Sequence, residues 1–449
     1  MSTDLLTVND KPGEYPPSWY TATAEPATTK PSLEGEVQTA VCIIGAGYTG
    51  LSTALHLAKA GVDCVVLEAN RVGWGASGRN GGQISCGFNQ DQTDLHKRVG
   101  EDAARKLWDI SVNASTLVQT LCDEIKQLHH IDCHYQPGII YTSSSRQHFE
   151  EQKQYSEFLC KNYDCNDIEI LDRQQLSSVL ASDSYQGGVI NHSAAHLHPL
   201  NYARGLAAIA EKSGVRIFEN SRVTNMNIPF AKSHSAMGGK RIQTDQGHVI
   251  AQHIVLACNG YLNDLNPTIA SRVMPINNYI VATEPLPETF PDSLIANQHA
   301  VCDDRFVVNY FRMSHDRRLL FGGGETWGYA FPSNIENIVR KPMLSVFPQL
   351  ASTRIDYAWG GTLAITRNRL PCFTEISKRF WSASGYSGHG VALASMAGHI
   401  ISGAIAGDRS EFDLMKTIPH QTFPGGDRAR PVLLKLAMAW YATRDSLGI

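Results

Sequence analysis

The 449-residue chain is sparing with charge: Asp, Glu, Lys and Arg make up 18% of it, and the formal net charge is −4. That balance speaks against a nucleic-acid surface and against a polybasic membrane patch. The opening stretch MSTDLLTVNDKPGEYPPSWY has no basic start followed by an apolar run, so no secretory signal is expected. Long apolar runs are lacking too, since a spanning helix needs roughly 18 uncharged residues. The nearest stretch, GVALASMAGHIISGAIAG (390–407), carries His399 and many small residues and reads as a packed core helix; no integral membrane segment is expected. The ten cysteines form no Cys-x-x-Cys pair and no metal-finger spacing, so no metal site is expected. Cys42, Cys64 and Cys258 lie in apolar strand-like runs, where free cysteine acts as a small hydrophobe. Such usage fits a reducing compartment, the cytoplasm.

The length suggests two or three domain-sized units. The first forty residues are rich in Pro and Thr (EPATTKPSLEGE) and read as an extended arm over the surface. Glycine, by contrast, is concentrated at chosen places. In QTAVCIIGAGYTGLSTALHLAKAGVDCVVLEAN the apolar run AVCII has strand length, LSTALHLAKA has helical spacing, Gly61 stops that helix, and VDCVVL is a second buried strand. Between strand and helix, Gly45 allows a tight turn, Gly47 lets a pyrophosphate approach the backbone, and Gly50 lets helix and strand pack closely. Ala46, Tyr48 and Thr49 complete the turn and the helix start, whose free N–H groups and partial positive charge suit phosphates. Glu68, with Ala69 beside it, stands 23 residues after Gly45, near the usual place of an acid that takes ribose hydroxyls. An acid there disfavours a 2′-phosphate and leaves NAD or FAD.

GWGASGRNGGQISCGF (73–88) begins five residues after Glu68 and holds six glycines. A simple NAD domain would start a crossover helix at this point. A loop that remains glycine-rich suits a longer cofactor: Gly75, Ala76, Ser77 and Arg79 near its phosphates, Asn80, Gly81, Gly82 and Gln83 near a flavin. A solvated surface loop is the alternative. Two later segments return to the same architecture. HPLNYARGLAAIAEKSG is a helix with Pro199 in its first turn, followed by strands VRIFEN, VTNMNI, RIQTDQGHVI and HIVLACNGYL. Strand carboxyl ends line ligand crevices in open α/β sheets, which makes Ala257 and Gly260 candidates, with Val223 facing the adenine or simply core. A strand at 380–384 then breaks at Gly385, Gly388 and Gly390 and enters a helix from Val391, about 340 residues after the first glycine turn. With Ser387 and His389, that helix start is expected at the flavin edge that becomes negative on reduction; a loop histidine bonded to backbone is the other reading.

These segments resemble the D-amino-acid-oxidase-type FAD-dependent oxidoreductases over nearly the whole chain. The resemblance rests on PPSWY, GAGYTGLSTALHLAKAG, VVLEANRVGWGASGRNGGQ, HLHPLNYARG, NGYLND, LLFGGGE, YAWGGTLAITRNRLPCF and GYSGHGVALAS, with ASGRNGGQ, HPLN and PHQTFPGG resembling the narrower gamma-glutamylputrescine oxidase group. It implies an α/β chain with a Rossmann-like FAD-binding domain (1–90, 196–265, 352–449) and a substrate domain (91–195, 266–351) whose antiparallel sheet roofs the flavin. Relatives that attach FAD through a cysteine carry it in the segment matching 359–366, but WGGTLAIT has none, so non-covalent FAD is expected. Where sarcosine-oxidase-like relatives have a lysine after the GHG turn, this chain has Ala392.

The implied reaction is oxidation of an amine to an imine and thence an aldehyde, with molecular oxygen as acceptor and hydrogen peroxide released. The amine must first lose its proton, and a poorly solvated aromatic pocket favours the neutral form of a group with a pKa of roughly 10. Tyr310 and Arg312 share one face of a strand, where Arg312 would pair a substrate carboxylate or remain a solvated strand residue. Trp359 and Tyr386 are candidates for the pocket wall or for the core. His196 and His198 line the site or cap the helix that begins at Pro199. An amino-acid dehydrogenase passing electrons to a quinone or carrier, and a flavin-binding protein without turnover, remain alternatives. The oligomeric state is left open.

Overall fold

A computed structural model describes residues 3–228, 239–287, 294–326 and 328–424. The two glycines of PHQTFPGG and residues 427–449, the end of the segment the resemblance assigns to FAD binding, lie outside the described residues. After a one-turn helix α1 (Trp19–Thr23) come β1 (Gly35–Ile44), α2 (Tyr48–Lys59) and β2 (Cys64–Leu67). A first excursion follows: β3 (Gln83–Ile84), α3 (Gln92–Val99), α4 (Glu101–His129), β4 (Gln136–Ser143), α5 (Arg146–Tyr163), β5 (Ile168–Asp172), α6 (Arg173–Val179) and β6 (Gly187–His196). The chain returns through α7 (Pro199–Lys212), β7 (Arg216–Phe218), β8 (Val223–Ile228), β9 (Lys240–Thr244) and β10 (Gly247–Leu256). It leaves again through α8 (Pro267–Ala270), β11 (Met274–Thr283), β12 (Ala300–Asp303), β13 (Tyr310–Met313), β14 (Leu319–Glu325), α9 (Ile335–Val346) and β15 (Ile355–Ile365). β16 (Cys372–Ser377), β17 (Phe380–Ser384), α10 (Gly390–Ala406) and α11 (Ser410–Lys416) finish the described chain.

The first sheet has the order β16-β17-β10-β1-β2-β7, with the β8–β9 hairpin on β10. β17, β10, β1, β2 and β7 run parallel, which is why CVVL in β2 and the second half of β1 are apolar and almost wholly buried. Helix α10 packs on α2 at a distance that only glycine permits. A Cβ on Gly398 would lie 2.6 Å from Ser52 Cβ and from Thr49 O, and the Ser52 hydroxyl donates to Ser395 O across the same seam at 2.6 Å. Among the described residues no single helix is long and apolar enough to cross a membrane; the apolar 390–406 segment is this buried helix.

The second sheet has the order β15-β11-β14-β13-β12-β4-β6-β3, with β5 on β6. It is antiparallel as expected except at one described pair, β12–β4, which is parallel: β12 enters late in the chain and lies beside a strand laid down about 160 residues earlier, so no hairpin dictates its direction. β15 pairs with β11 from Met274↔Ile365 to Thr283↔Ile355, so residues 355–365 form a strand of this sheet. β3 pairs with β6, and the glycine loop before it therefore crosses from one sheet to the other. The N-terminal arm is also more than a surface ribbon. Leu5, Trp19, Tyr20 and Leu33 are buried, Trp19 and Tyr20 among Leu200, Ile280 and Trp359.

Gly398→Ala should cost about 1–3 kcal/mol, the range for forcing a methyl into a packed seam. Thermal unfolding of the apoprotein measures this loss, and FAD affinity should fall with it because α2 carries the first glycine turn.

Candidate active site

Between the two sheets lies a cavity of about 670 Å³, and both glycine turns face it: Gly45, Gly47, Tyr48 and Thr49 from the start of α2, Ser387, Gly388, His389, Gly390 and Val391 from the start of α10. Side chains are excluded here for physical reasons. Gly45 has φ +106°, and a Cβ on it would lie 2.8 Å from Ala257 O; one on Gly47 would meet Ser77 Oγ at 2.9 Å. Gly50 does not reach the cavity, since its Cβ would fall 1.9 Å from Gly45 O; it serves close helix–strand packing. The two turns are joined by the hydroxyls of Thr49 and Tyr386, 2.6 Å apart, and Tyr48 N donates to Ser77 Oγ. Each helix start thus faces the same space, with the partial positive charge of its helix end directed into it.

Glu68 sits on the wall. Its carboxylate accepts from Ala46 N at 2.8 Å and Asn70 N at 2.9 Å. Burial nevertheless outweighs these donors and pushes the carboxyl up to about 7. His389 is the N-cap residue of α10. Burial holds its imidazole down to about 4, against a hydrogen bond to the Gly87 backbone, so it is neutral at ordinary pH, and its Nδ1 is buried without a partner.

Residues 40–404 match the FAD dependent oxidoreductase (DAO) family. The chain belongs to this family. It is 37% identical over 440 residues to gamma-glutamylputrescine oxidoreductase of Escherichia coli (strain K12), covering 97% of this chain and 100% of that protein. The probable oxidoreductase OrdL of Haemophilus influenzae is 37% identical over 409 residues, 90% of this chain and 91% of that one. The crystal structure of glycine oxidase from Geobacillus kaustophilus superposes with a TM-score of 0.71 at 18% identity, covering 86% of this chain and 100% of that chain; L-proline dehydrogenase from P. horikoshii superposes with a TM-score of 0.66 at 18% identity, covering 83% and 94%. These two likenesses concern the fold. The protein is an FAD-dependent oxidoreductase of mixed α/β fold, and its cofactor is FAD.

The cavity suits that cofactor. Backbone without side chains stands where a pyrophosphate would approach, and an enclosed acid stands where a ribose would lie. Of the expected cofactor residues, Glu68, Ala69, Gly75, Ala76, Ser77 and Asn80 line it, as do Gly81, Gly82, Gln83, Val223 and Ala257. Ala46, Gly260 and Gly385 stand behind the wall. Ala46 N bonds Glu68, Gly385 N donates to Asn259 Oδ1, and a Cβ on Gly260 would sit 2.9 Å from Leu363 O.

Several expectations need correction. Arg79 lines the cavity: Nη1 donates to Asp10 Oδ2 at 2.7 Å, Nε donates to Trp74 O at 2.7 Å, the group lies over the Trp74 ring, and Nη2 is buried without a hydrogen-bond partner. Arg312 is 5% exposed and outside the cavity. It donates to Gly81 O and Leu197 O, each at 3.0 Å, so it pins the glycine loop and is not open to a substrate carboxylate. Tyr310, on the same strand, does line the cavity and donates to Asn278 Oδ1. Trp359 is core, its Nε1 donating to Arg79 O, whereas Tyr386 lines the cavity. His198 caps α7, its Nδ1 accepting from Asn201 N. His196 is held down to about 3 by burial and faces Gln298 O. Neither histidine reaches the site.

Sequence reasoning missed Leu6, Trp74, Arg222, Tyr261 and Asn263 on the wall, and Tyr141, Arg305, Phe306 and Val308 from the second sheet and its loops. None of these follows a spacing rule. Only the apolar–aromatic flanks of Arg305 in DDRFVV gave any signal.

Because the ribose hydroxyls need an ionised acceptor, FAD should bind the apoprotein about tenfold tighter at pH 8 than at pH 6. Titration of cofactor fluorescence measures this, and Glu68→Gln should flatten the dependence. The sign for stability is the reverse. A carboxyl raised to about 7 from 4.5 stabilises the apoprotein fully below about 4.5, and that contribution is lost as pH rises through 7.

Proposed function

We propose that the protein oxidises an amine, gamma-glutamylputrescine or a related polyamine derivative, to an aldehyde, with molecular oxygen as acceptor and hydrogen peroxide released. The end-to-end match to gamma-glutamylputrescine oxidoreductase carries the reading. FAD, when bound, supplies the two-electron acceptor for the C–H bond beside nitrogen. The chain's own groups then set the conditions. Among the described lining residues, Glu68 is the one carboxylate and His389 the one imidazole. Glu68 is tied to the backbone of the first glycine turn, and neutral His389 offers no charge. Arginines and tyrosines make up the other titratable wall apart from two half-buried thiols, and such a wall favours the neutral, reactive amine.

The thiols, Cys258 and Cys302, are each pushed up to about 12 by burial. They are poor nucleophiles at neutral pH, in keeping with FAD held without a covalent bond. Tyr310 and Tyr386 form aromatic wall. The carboxylate contact proposed for Arg312 passes to Arg305, which lines the cavity beside Phe306 and Val308 and is oriented by Asp303 Oδ2 at 3.4 Å. A two-domain division and a cytoplasmic setting, the latter read from the ten free cysteines, belong to the same proposal.

Anaerobic mixing of the yellow holoenzyme with amines and their gamma-glutamyl conjugates tests it. The conjugates should bleach the flavin fastest, with rates rising toward the amine pKa and no inflection from His389 between pH 6 and 8. In air, one peroxide should appear per substrate consumed. Reduction by free amino acids alone overturns the substrate; turnover without peroxide overturns the acceptor. Arg305→Gln should raise KM for the glutamyl conjugate about tenfold or more, consistent with loss of a charged hydrogen bond, and leave KM for a plain diamine within twofold.

A further inference from the structure

Residues 4–15 run along the outside of the cavity wall, and their bonds go to segments that build it. Asp4 Oδ2 accepts from Arg222 Nη1 at 2.7 Å and its Oδ1 from Asn263 Nδ2 at 2.8 Å, while Leu5 N donates to Asn263 Oδ1. Asp10 takes the Arg79 guanidinium at 2.7 Å. Gly13 N donates to Asn70 Oδ1, Trp74 Nε1 donates to Glu14 O, and the Tyr15 hydroxyl donates to Val72 O. Arg222, Asn263, Arg79 and Trp74 all line the cavity, and Leu6 of the strap reaches it directly.

We propose that this strap is a wall of the FAD site that docks together with the cofactor, and that the Asp10–Arg79 ion pair is its clasp. The electrostatics require the coupling. The Arg79 side chain is 1% exposed, and its other acceptors are the neutral carbonyls of Trp74 and Gly360. Without Asp10 a full positive charge stays buried with no counter-charge, a state that drives the group toward water. Arg79 leaves only by opening the loop whose next residues, Asn80 to Gln83, form the cavity wall. An opened strap therefore means a loosened glycine loop. Bound FAD conversely covers Leu6 and holds that loop in the conformation to which the strap docks. Linkage then makes the effect reciprocal: whatever the strap adds to FAD affinity, FAD adds to strap closure. Asp10 acts through Arg79 and is a positioning residue. The proposal rests on the cofactor alone and not on the choice of amine.

Hydrogen exchange on the full-length chain, with FAD and stripped of it, tests the reciprocity. The amides of Leu5, Leu6 and Gly13 should exchange at least tenfold more slowly in the holoprotein; equal protection in both forms overturns the proposal. FAD dissociation constants, measured by cofactor fluorescence with no substrate present, test the clasp. Asp10→Asn should weaken FAD at least tenfold, and Asp4→Asn, at a partly exposed pair, at least threefold. Constants within twofold of the parent for both variants overturn it. If Asp10→Asn does not fold, Asp4→Asn decides by the same twofold criterion.

Discussion

Two helices can deliver their free N–H groups to one ligand only if their first turns converge, and here convergence depends on how closely α10 lies against α2. The seam is set by Gly398 over Ser52 and Thr49 and closed by the Ser52–Ser395 and Thr49–Tyr386 hydrogen bonds. The starts of the two helices consequently open on the same cavity although about 340 residues separate them. A wider crossing would leave each helix start with its own shallow cleft. The parallel order β17-β10-β1-β2 enforces the convergence from below, because it puts the carboxyl ends of β1 and β17 on one edge, from which both glycine turns spring.

Charge is distributed on the same plan. Among the described residues four arginines, Arg79, Arg222, Arg305 and Arg369, line the cavity against one carboxylate, Glu68. Three of them are held by acids from outside the lining set: Asp10, Asp4 and Asp303. The wall therefore carries oriented positive groups whose charge is partly met from behind, which restrains the desolvation cost of the empty cavity and leaves it suited to anionic ligands. Neutral His389 between them adds a hydrogen-bonding edge without further charge.

The strand–glycine–helix–strand–acid unit was legible because each of its causes is local. Apolar runs of strand length, a helical period and glycines forced by close approach all act within thirty residues. The second glycine turn was legible for the same reason. Arg312 was not, because alternation along a strand gives the face of a side chain but not the carbonyls waiting there; its acceptors, Gly81 and Leu197, lie 231 and 115 residues away. For Trp359 the sequence left wall and core open, and the core is where it lies, since β15 joins β11 in the second sheet and its indole turns to the back of the glycine loop. The arm was misjudged on composition. Pro and Thr describe its extended backbone correctly but say nothing of Trp19 and Tyr20 packing beneath it.

Cofactor and substrate thus leave unequal traces in a sequence. The cavity wall at the two helix starts is largely backbone, and close approach to backbone demands missing side chains, a requirement written as glycine at fixed intervals. The outer end of the cavity is met by side chains on connections such as that between β12 and β13, where Arg305, Phe306 and Val308 lie, and no steric rule fixes their spacing. Those residues can change without touching the seam between α2 and α10. The seam and the outer loops are therefore separable constraints on the sequence: the first is fixed by contact distance between two helices, the second by side chains on connections that the packing of the helices leaves free.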